Sequence, residues 1–356
     1  MRGRWHGTRL RSGEPGWEGR FILADGLAAL TSVAQMADRG LSLDGRGYAR
    51  MLMDQLSERV EKLDGNAGIG TVLVGDDEAA AIYQRRIDRG ARELGIVSRP
   101  ERLPYGASFG QIVGKLAELD VDSEISGILV LRPLPQHLPE ARILRAIPPQ
   151  KDVEAQHPEN AGLLALGTPR FVPSTPAAAF VMLDSYMVEA GRELVTAYDG
   201  LDLVVVGRSN NVGKPAAILG LARNATVVSC HKHTDDAGRL REHALLGDIL
   251  IVAVGSPGVI TGDMVRPGAI VIDIGINPIT TSDGSVRLVG DVDFESAIRG
   301  AEAVSPVPGG VGPLTDAWVL HNAVLAAERS AGAGHQADST HLIESLGHFA
   351  APKLSA

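Results

Sequence analysis

The chain has 356 residues, 44% hydrophobic and only 4% aromatic, with 42 glycines, which suits two Ala/Val/Ile/Leu-rich α/β domains with many tight turns and excludes a disordered chain. The net charge of −9, with no basic run to offset it, would repel a phosphate backbone and argues against nucleic acid as a partner. One cysteine, Cys230, leaves neither an intrachain disulfide nor a thiolate cluster for a metal and fits a reducing cytoplasm, and no apolar run approaches the ~18 residues of a membrane span.

Residues 1–41 show no strong period and read as an amino-terminal extension. Its Arg-rich start lacks the apolar segment of a secretory signal; a transit peptide, an ill-defined extension and a start at Met36 all stay open. From 43 to 63, Tyr48, Met51, Leu52, Leu56 and Val60 fall at helical spacing, and 68–77 reads as a buried strand ending in a turn. A helix over 79–96, another over 109–119 and a strand over 126–135 continue the alternation of parallel α/β units. After a helical stretch at about 175–192 come apolar strands at 202–206, 225–230, 248–254 and 269–274, the pattern of a doubly wound parallel sheet whose ligands sit beyond the strands' carboxyl ends. We therefore expect a Rossmann-like cofactor domain over 181–311 inside a substrate domain formed by 42–180 and completed by a helix over 312–330, with 331–356 as a tail.

The cofactor expectation rests on LVVVGRSNNVGKP (203–215). Gly207 follows the strand, Gly213 comes six residues later and Pro215 stands where a helix begins, so backbone N–H groups and a positive helix end can meet a phosphate. Glycines in these places also serve tight packing alone, and the full G-x-G-x-x-G pattern is absent. The second strand ends without the carboxylate of NAD-selective sheets and supplies Lys232 instead; with Arg208 this points to NADP, the plain alternative being two solvated surface charges. Val254, Gly255 and Ser256 after the third strand, and Gly275, Ile276 and Asn277 after the fourth, are expected at the nicotinamide. Ser209 sits in GRSNN, not in a hydrolase elbow, and reads as a loop or phosphate-contact serine. His231 and His233 alternate along an apparent extension of the second strand, which would point them to opposite faces and make them structural.

PVPGGVGPLT (306–315), GRSNNVGKP (207–215), GAIVIDIGIN (268–277), LVGDVD (288–293) and VPSTPAA (172–178), in this order, resemble the methylenetetrahydrofolate dehydrogenase/methenyltetrahydrofolate cyclohydrolase family over roughly 43–330. The resemblance implies an NADP-binding Rossmann domain inserted in a substrate domain, a tetrahydrofolate one-carbon derivative as substrate, and a homodimer. It places Tyr83 at the tyrosine of the family's Y-x-x-x-K motif and Ile87 at the lysine, Leu131 at the glutamine of Q-L-P-L-P, and Glu154 at an aspartate that resembles a pterin anchor, with Ala155 at the following glycine. Pro308, Gly309, Gly310 and Gly312 are expected to contact substrate, the alternative being a rigid interdomain turn. Tyr83 as a core aromatic, Glu154 as a surface carboxylate and Asp152 paired with Lys151 are the plain alternatives for those residues.

Hydride transfer from a methylene bridge flanked by two nitrogens needs chiefly orientation. Hydrolysis of the methenyl product needs proton transfers, and losing a general acid/base typically costs about 10²–10⁴-fold. With Tyr83 and Glu154 as the catalytic candidates and Ile87 and Leu131 apolar, the expectation is a working NADP-dependent dehydrogenase with weak or absent cyclohydrolase activity. Arg86 and Arg132 can compensate only electrostatically, since arginine keeps its proton. The rivals are a dehydrogenase on a changed substrate, a non-catalytic NADP- or folate-binding protein, and a shikimate-type dehydrogenase, which gives no reason for PVPGGVGP.

Overall fold

The computed structural model of the protein describes residues 39–63, 66–281 and 283–332, so the expectations for 1–38 and for the tail from 333 lie outside the described residues. The chain enters through a two-residue strand, β1 (Leu41–Ser42), and α1 (Gly45–Lys62), whose first turn is capped by Asp44 accepting the Arg46 N–H at 2.9 Å. Buried Ala49, Leu52, Leu56 and Val60 recur every three or four residues and give α1 one apolar stripe. β2 (Gly68–Val74) is buried throughout, and α2 (Glu78–Glu93) starts on the Asp77 cap. β3 (Val97–Leu103), α3 (Phe109–Val121) and β4 (Gly127–Val130) complete a parallel sheet in the order β3-β2-β4. The apolar pattern does not predict β3, because VSRPERL carries Pro100 and three charged side chains as an edge strand tolerates.

Two short helices, α4 (Glu140–Leu144) and α5 (Pro158–Ala165), lead to the almost wholly buried α6 (Ser174–Glu189). Then come β5 (Asp202–Val206), α7 (Gly213–Leu221), β6 (Thr226–Cys230), α8 (Lys232–Asp236), α9 (Leu240–Ala244), β7 (Ile249–Val252) and β8 (Ile270–Asp273). A hairpin of β9 (Asn277–Thr280) and β10 (Val286–Val289), α10 (Phe294–Ala297), β11 (Ala303–Val304) and the long α11 (Val311–Ser330) complete the described chain. The larger sheet runs β1-β11-β8-β7-β5-β6 with every pairing parallel. β5 has its successor β6 on one side and β7 on the other, so the strand order reverses between β5 and β7, the place where such sheets bind ligands.

One observation corrects the expected boundaries, and a second concerns the last helix. β1 pairs with β11, Leu41 opposite Ala303 and Ser42 opposite Val304, so the last residue assigned to the extension and the first assigned to the substrate domain both belong to the edge of the larger sheet. Two-residue strands carry no readable period. In turn, α11 packs on α1, α2 and α6 and against β2 and β4, which places it with the smaller sheet. Between α6 and the turn that ends α7 lies a wholly buried ion pair, Arg223 to Asp184 at 2.7 Å, with the Tyr198 hydroxyl donating to the same carboxylate at 2.5 Å. Among the described residues no helix is long and apolar enough to cross a membrane.

Candidate active site

Tyr83 and Ile87 lie one turn apart on α2 and present the same face. Tyr83 is half-buried, whereas Ile87 has no exposed surface and belongs to the same apolar core as Leu131, which follows β4 and is 1% exposed. Every described lysine is engaged or exposed elsewhere. Lys115 pairs with Glu118 and Glu101, Lys151 donates to the Asp120 carbonyl at the end of α3, Lys214 binds Asn210, Lys232 binds Asp236, and Lys62 is exposed at the end of α1. Arg132 turns aside to Glu140 and Gln156, each at 3.0 Å.

Glu154 faces the start of α6, where Ser174 donates both its N–H, at 3.1 Å to Oε2, and its hydroxyl, to Oε1. Burial pushes this carboxyl up to about 6 although both Ser174 bonds and Arg132 oppose the rise. Tyr83 lies beside it: burial, then the Glu154 and Asp316 carboxylates, hold the phenol well above its ordinary value, against Arg86 and a side-chain hydrogen bond with Ser174. Glu154 is thus no simple surface carboxylate, and Tyr83 no purely apolar core aromatic. Asp152 is not paired with Lys151, as one alternative held; it is buried and accepts the His157 N–H at 2.7 Å and the Asn160 amide at 2.9 Å. Ala155 sits at φ +51°, in the left-handed region that favours glycine.

The 306–313 loop closes onto the start of α1. Gly309 accepts the Gly45 N–H at 2.8 Å, and a Cβ on Gly310 would come within 2.6 Å of the Pro306 carbonyl oxygen. Both glycines therefore have structural work. Gly312 differs: it lies in the first turn of α11 with nothing within 4 Å of a Cβ built there, and Pro308 is exposed, so these two leave room beside the backbone.

On the larger sheet, Gly207 and Gly213 pack against each other and against the next strand. A Cβ on Gly213 would stand 2.1 Å from the Gly207 carbonyl oxygen, and one on Gly207 2.1 Å from that of Ala253. The packing role and a phosphate role share one geometry here. Ser209 accepts the Val212 and Gly213 N–H groups at 3.1 and 3.4 Å, so its hydroxyl already meets part of the helix end that a phosphate would use. Arg208 is exposed and close enough to His231 to help lower its pKa, after desolvation. Lys232 is exposed but carries an Asp236 partner at 2.5 Å, one helical turn on. His231 and His233 do not point to opposite faces: the chain turns into α8 at Lys232 and the rings meet edge to face at 5.2 Å.

The loop after β7 is held from below. Asp291 accepts the N–H groups of Val254, Gly255 and Ser256 at 2.6, 2.9 and 2.9 Å, and the Asn277 amide at 2.9 Å. Asp273, pushed up to about 7 chiefly by burial, accepts the N–H groups of Gly275, Asp291 and Val292. A Cβ on Gly275 would fall 2.2 Å from the Asp291 carboxyl carbon, and one on Gly290 1.8 Å from Asp273 Oδ2, so both glycines exist to admit carboxylates. The result is a fixed, open shelf. Val254, Gly255, Ser256 and Ile276 are exposed on it, and a Cβ on Gly255 meets nothing within 4 Å, an arrangement that fits a flat nicotinamide ring at the strand ends. A cavity of about 560 Å³ opens between the end of β4 and the start of α7, with Arg132, Gln156 and Pro173 on one wall and Asn210, Lys214 and Pro215 on the other.

Residues 43–154 match the tetrahydrofolate dehydrogenase/cyclohydrolase catalytic domain, and residues 173–331 match the NAD(P)-binding domain of the same family. The chain belongs to the tetrahydrofolate dehydrogenase/cyclohydrolase family. It is 52% identical over 289 residues to bifunctional protein FolD 3 of Rubrobacter xylanophilus, covering 80% of this chain and 91% of that protein. To bifunctional protein FolD of Moorella thermoacetica it is 43% identical over 290 residues, 81% of this chain and 98% of that one. The FolD crystal structure from Campylobacter jejuni superposes with a TM-score of 0.74 at 34% identity, over 81% of this chain and 98% of that chain. The Trypanosoma brucei enzyme, solved with NADP cofactor and inhibitor, gives 0.73 at 30% identity, over 82% and 99%.

Within this tetrahydrofolate dehydrogenase/cyclohydrolase chain, sequence reasoning missed four polar residues that shape the site: Ser174, Asp273, Asp291 and Asp316. VPSTPAA, GAIVIDIGIN and LVGDVD contain the first three, so the signal was present, but their partners lie up to 37 residues away and no spacing rule connects them.

Proposed function

We propose that the protein oxidises 5,10-methylenetetrahydrofolate to the methenyl form with NADP as hydride acceptor and hydrolyses that product at most weakly. Residues 43–180 with 312–330 bind the substrate and 181–311 the cofactor, in a cytoplasmic homodimer. The observation that carries the reading is Ile87: it is wholly buried on the face that Tyr83 shares, with Leu131 in the same core and every described lysine engaged or exposed elsewhere.

When bound, NADP supplies the hydride acceptor; the chain supplies orientation. Tyr83 offers a ring face, Glu154, fixed by Ser174, offers a carboxylate to the pterin N–H groups, and Gly312 and Pro308 leave room for the one-carbon end. On the opposite side the shelf of Val254, Gly255 and Ile276 receives the nicotinamide, Gly207, Ser209 and Gly213 take the phosphates, and Arg208 with Lys232 takes the 2′-phosphate. Such positioning is worth several kcal/mol of barrier without a proton-transfer group. Hydrolysis needs one. Neither Ile87 nor Leu131 titrates, and Arg132 holds its proton.

The test is NADPH formation by the purified protein across folate one-carbon forms, with NADP against NAD. Turnover with the methylene form and preference for NADP are expected; no NADPH with any folate contradicts the reading, and turnover confined to another compound replaces the substrate.

A further inference from the structure

The face of α2 that carries Tyr83 also carries Arg86, three residues on, and Arg86 reaches across to α11. Its Nη2 donates to Asp316 Oδ1 at 2.9 Å and its Nε stands 2.8 Å from Oδ2, a two-pronged pair that fixes the plane of the guanidinium. The guanidinium carbon lies 5.5 Å from the centre of the Tyr83 ring, within cation–π range. Asp316 stands one turn after Gly312, so the pair ties the helix that begins in the 306–313 loop to the helix that presents Tyr83.

We propose that Arg86 and Asp316 are positioning residues for the folate substrate: Asp316 holds the guanidinium, and the guanidinium holds the Tyr83 ring, where Ile87 supplies no polar group. The inference rests on reading the surroundings of Tyr83 and Glu154 as a folate site. It also explains why Arg86 does not stand in for a lysine. Its charge is committed to a carboxylate and its proton is not available for transfer. The other end of Tyr83 lies near Ser174 and Glu154, so loosening Arg86 changes the tilt of the ring without removing it from its place beside that carboxylate.

Asp316→Asn and Arg86→Lys are the test variants, with the exchange Arg86→Asp/Asp316→Arg as control. Each single variant is expected to raise KM for 5,10-methylenetetrahydrofolate about tenfold, with KM for NADP unchanged and kcat reduced less. The exchange restores the thermal midpoint but not the folate KM, because the guanidinium no longer starts from α2. An unchanged folate KM in both single variants, or full recovery in the exchange, overturns the proposal. Calorimetric titration with tetrahydrofolate separates it from the reaction itself: weaker binding by Asp316→Asn sustains the positioning role even in a protein that makes no NADPH, whereas no tetrahydrofolate binding by the parent contradicts both.

Discussion

On the proposed function, Ile87 places a hydrocarbon where hydrolysis needs a proton carrier, and its surroundings set the cost of reversing that choice. The side chain is 0% exposed, so Ile87→Lys puts an ammonium into an apolar wall, depresses its pKa toward the neutral range and destabilises the fold by several kcal/mol, on the order of 3. The same depression makes it a usable acid/base. We expect Ile87→Lys to accelerate methenyltetrahydrofolate decay by at least about 10²-fold over the parent; a folded variant with no gain means that something other than the missing amine limits hydrolysis. Glu154 gives a pH signature. Burial raises its carboxyl from 4.5 to about 6, so the folded protein keeps that proton where the unfolded chain has lost it. The stabilisation is complete below pH 4.5 and is lost as pH rises through about 6. Relative to Glu154→Gln, the parent's urea-unfolding stability should fall by about 1–2 kcal/mol across that window; a constant difference contradicts the assigned shift. Motif positions made Tyr83, Ile87, Leu131 and Glu154 legible in the sequence. Asp316 was not, since its meaning comes from Arg86, 230 residues earlier.

Among elements, β5, β7 and β8 were readable because they are continuous apolar runs buried on both faces, and α1 and α2 because their buried residues keep a helical step. β1 and β11 are two residues long, and β3 is a charged edge, so pattern alone passes over them. What no pattern reaches is the support of the shelf after β7. Asp291 accepts three successive backbone N–H groups there, and removing it leaves donors at 254–256 without their acceptor. Asp291→Ala should cost about 3–5 kcal/mol and raise KM for NADP far more than KM for folate. Equal effects on both would mean that the loop does not serve the cofactor.

Across the whole molecule, α6 and the end of α7, a helix of the larger sheet's domain, are joined by Arg223 and Asp184, 2.7 Å apart and 2% and 1% exposed, with Tyr198 completing the carboxylate's partners. Breaking such a pair strands a charge in the interior. Arg223→Met is expected to lower stability by about 3–5 kcal/mol, and Arg223→Met with Asp184→Leu by less, as read from urea midpoints; a double variant no better than the single contradicts the stranded-charge argument. The larger division of labour is between two walls. One, built on the strand ends of the larger sheet and stiffened by Asp291 and Asp273, is the wall we propose for the dinucleotide, while the other, built on α2 and β4, carries Tyr83 and, on the same proposal, a hydrocarbon in place of an amine. The most direct test follows NADPH formation and methenyltetrahydrofolate decay as separate traces in one reaction with 5,10-methylenetetrahydrofolate. The account predicts rising NADPH while the methenyl product accumulates and decays at the non-enzymatic rate; decay well above that rate would contradict it.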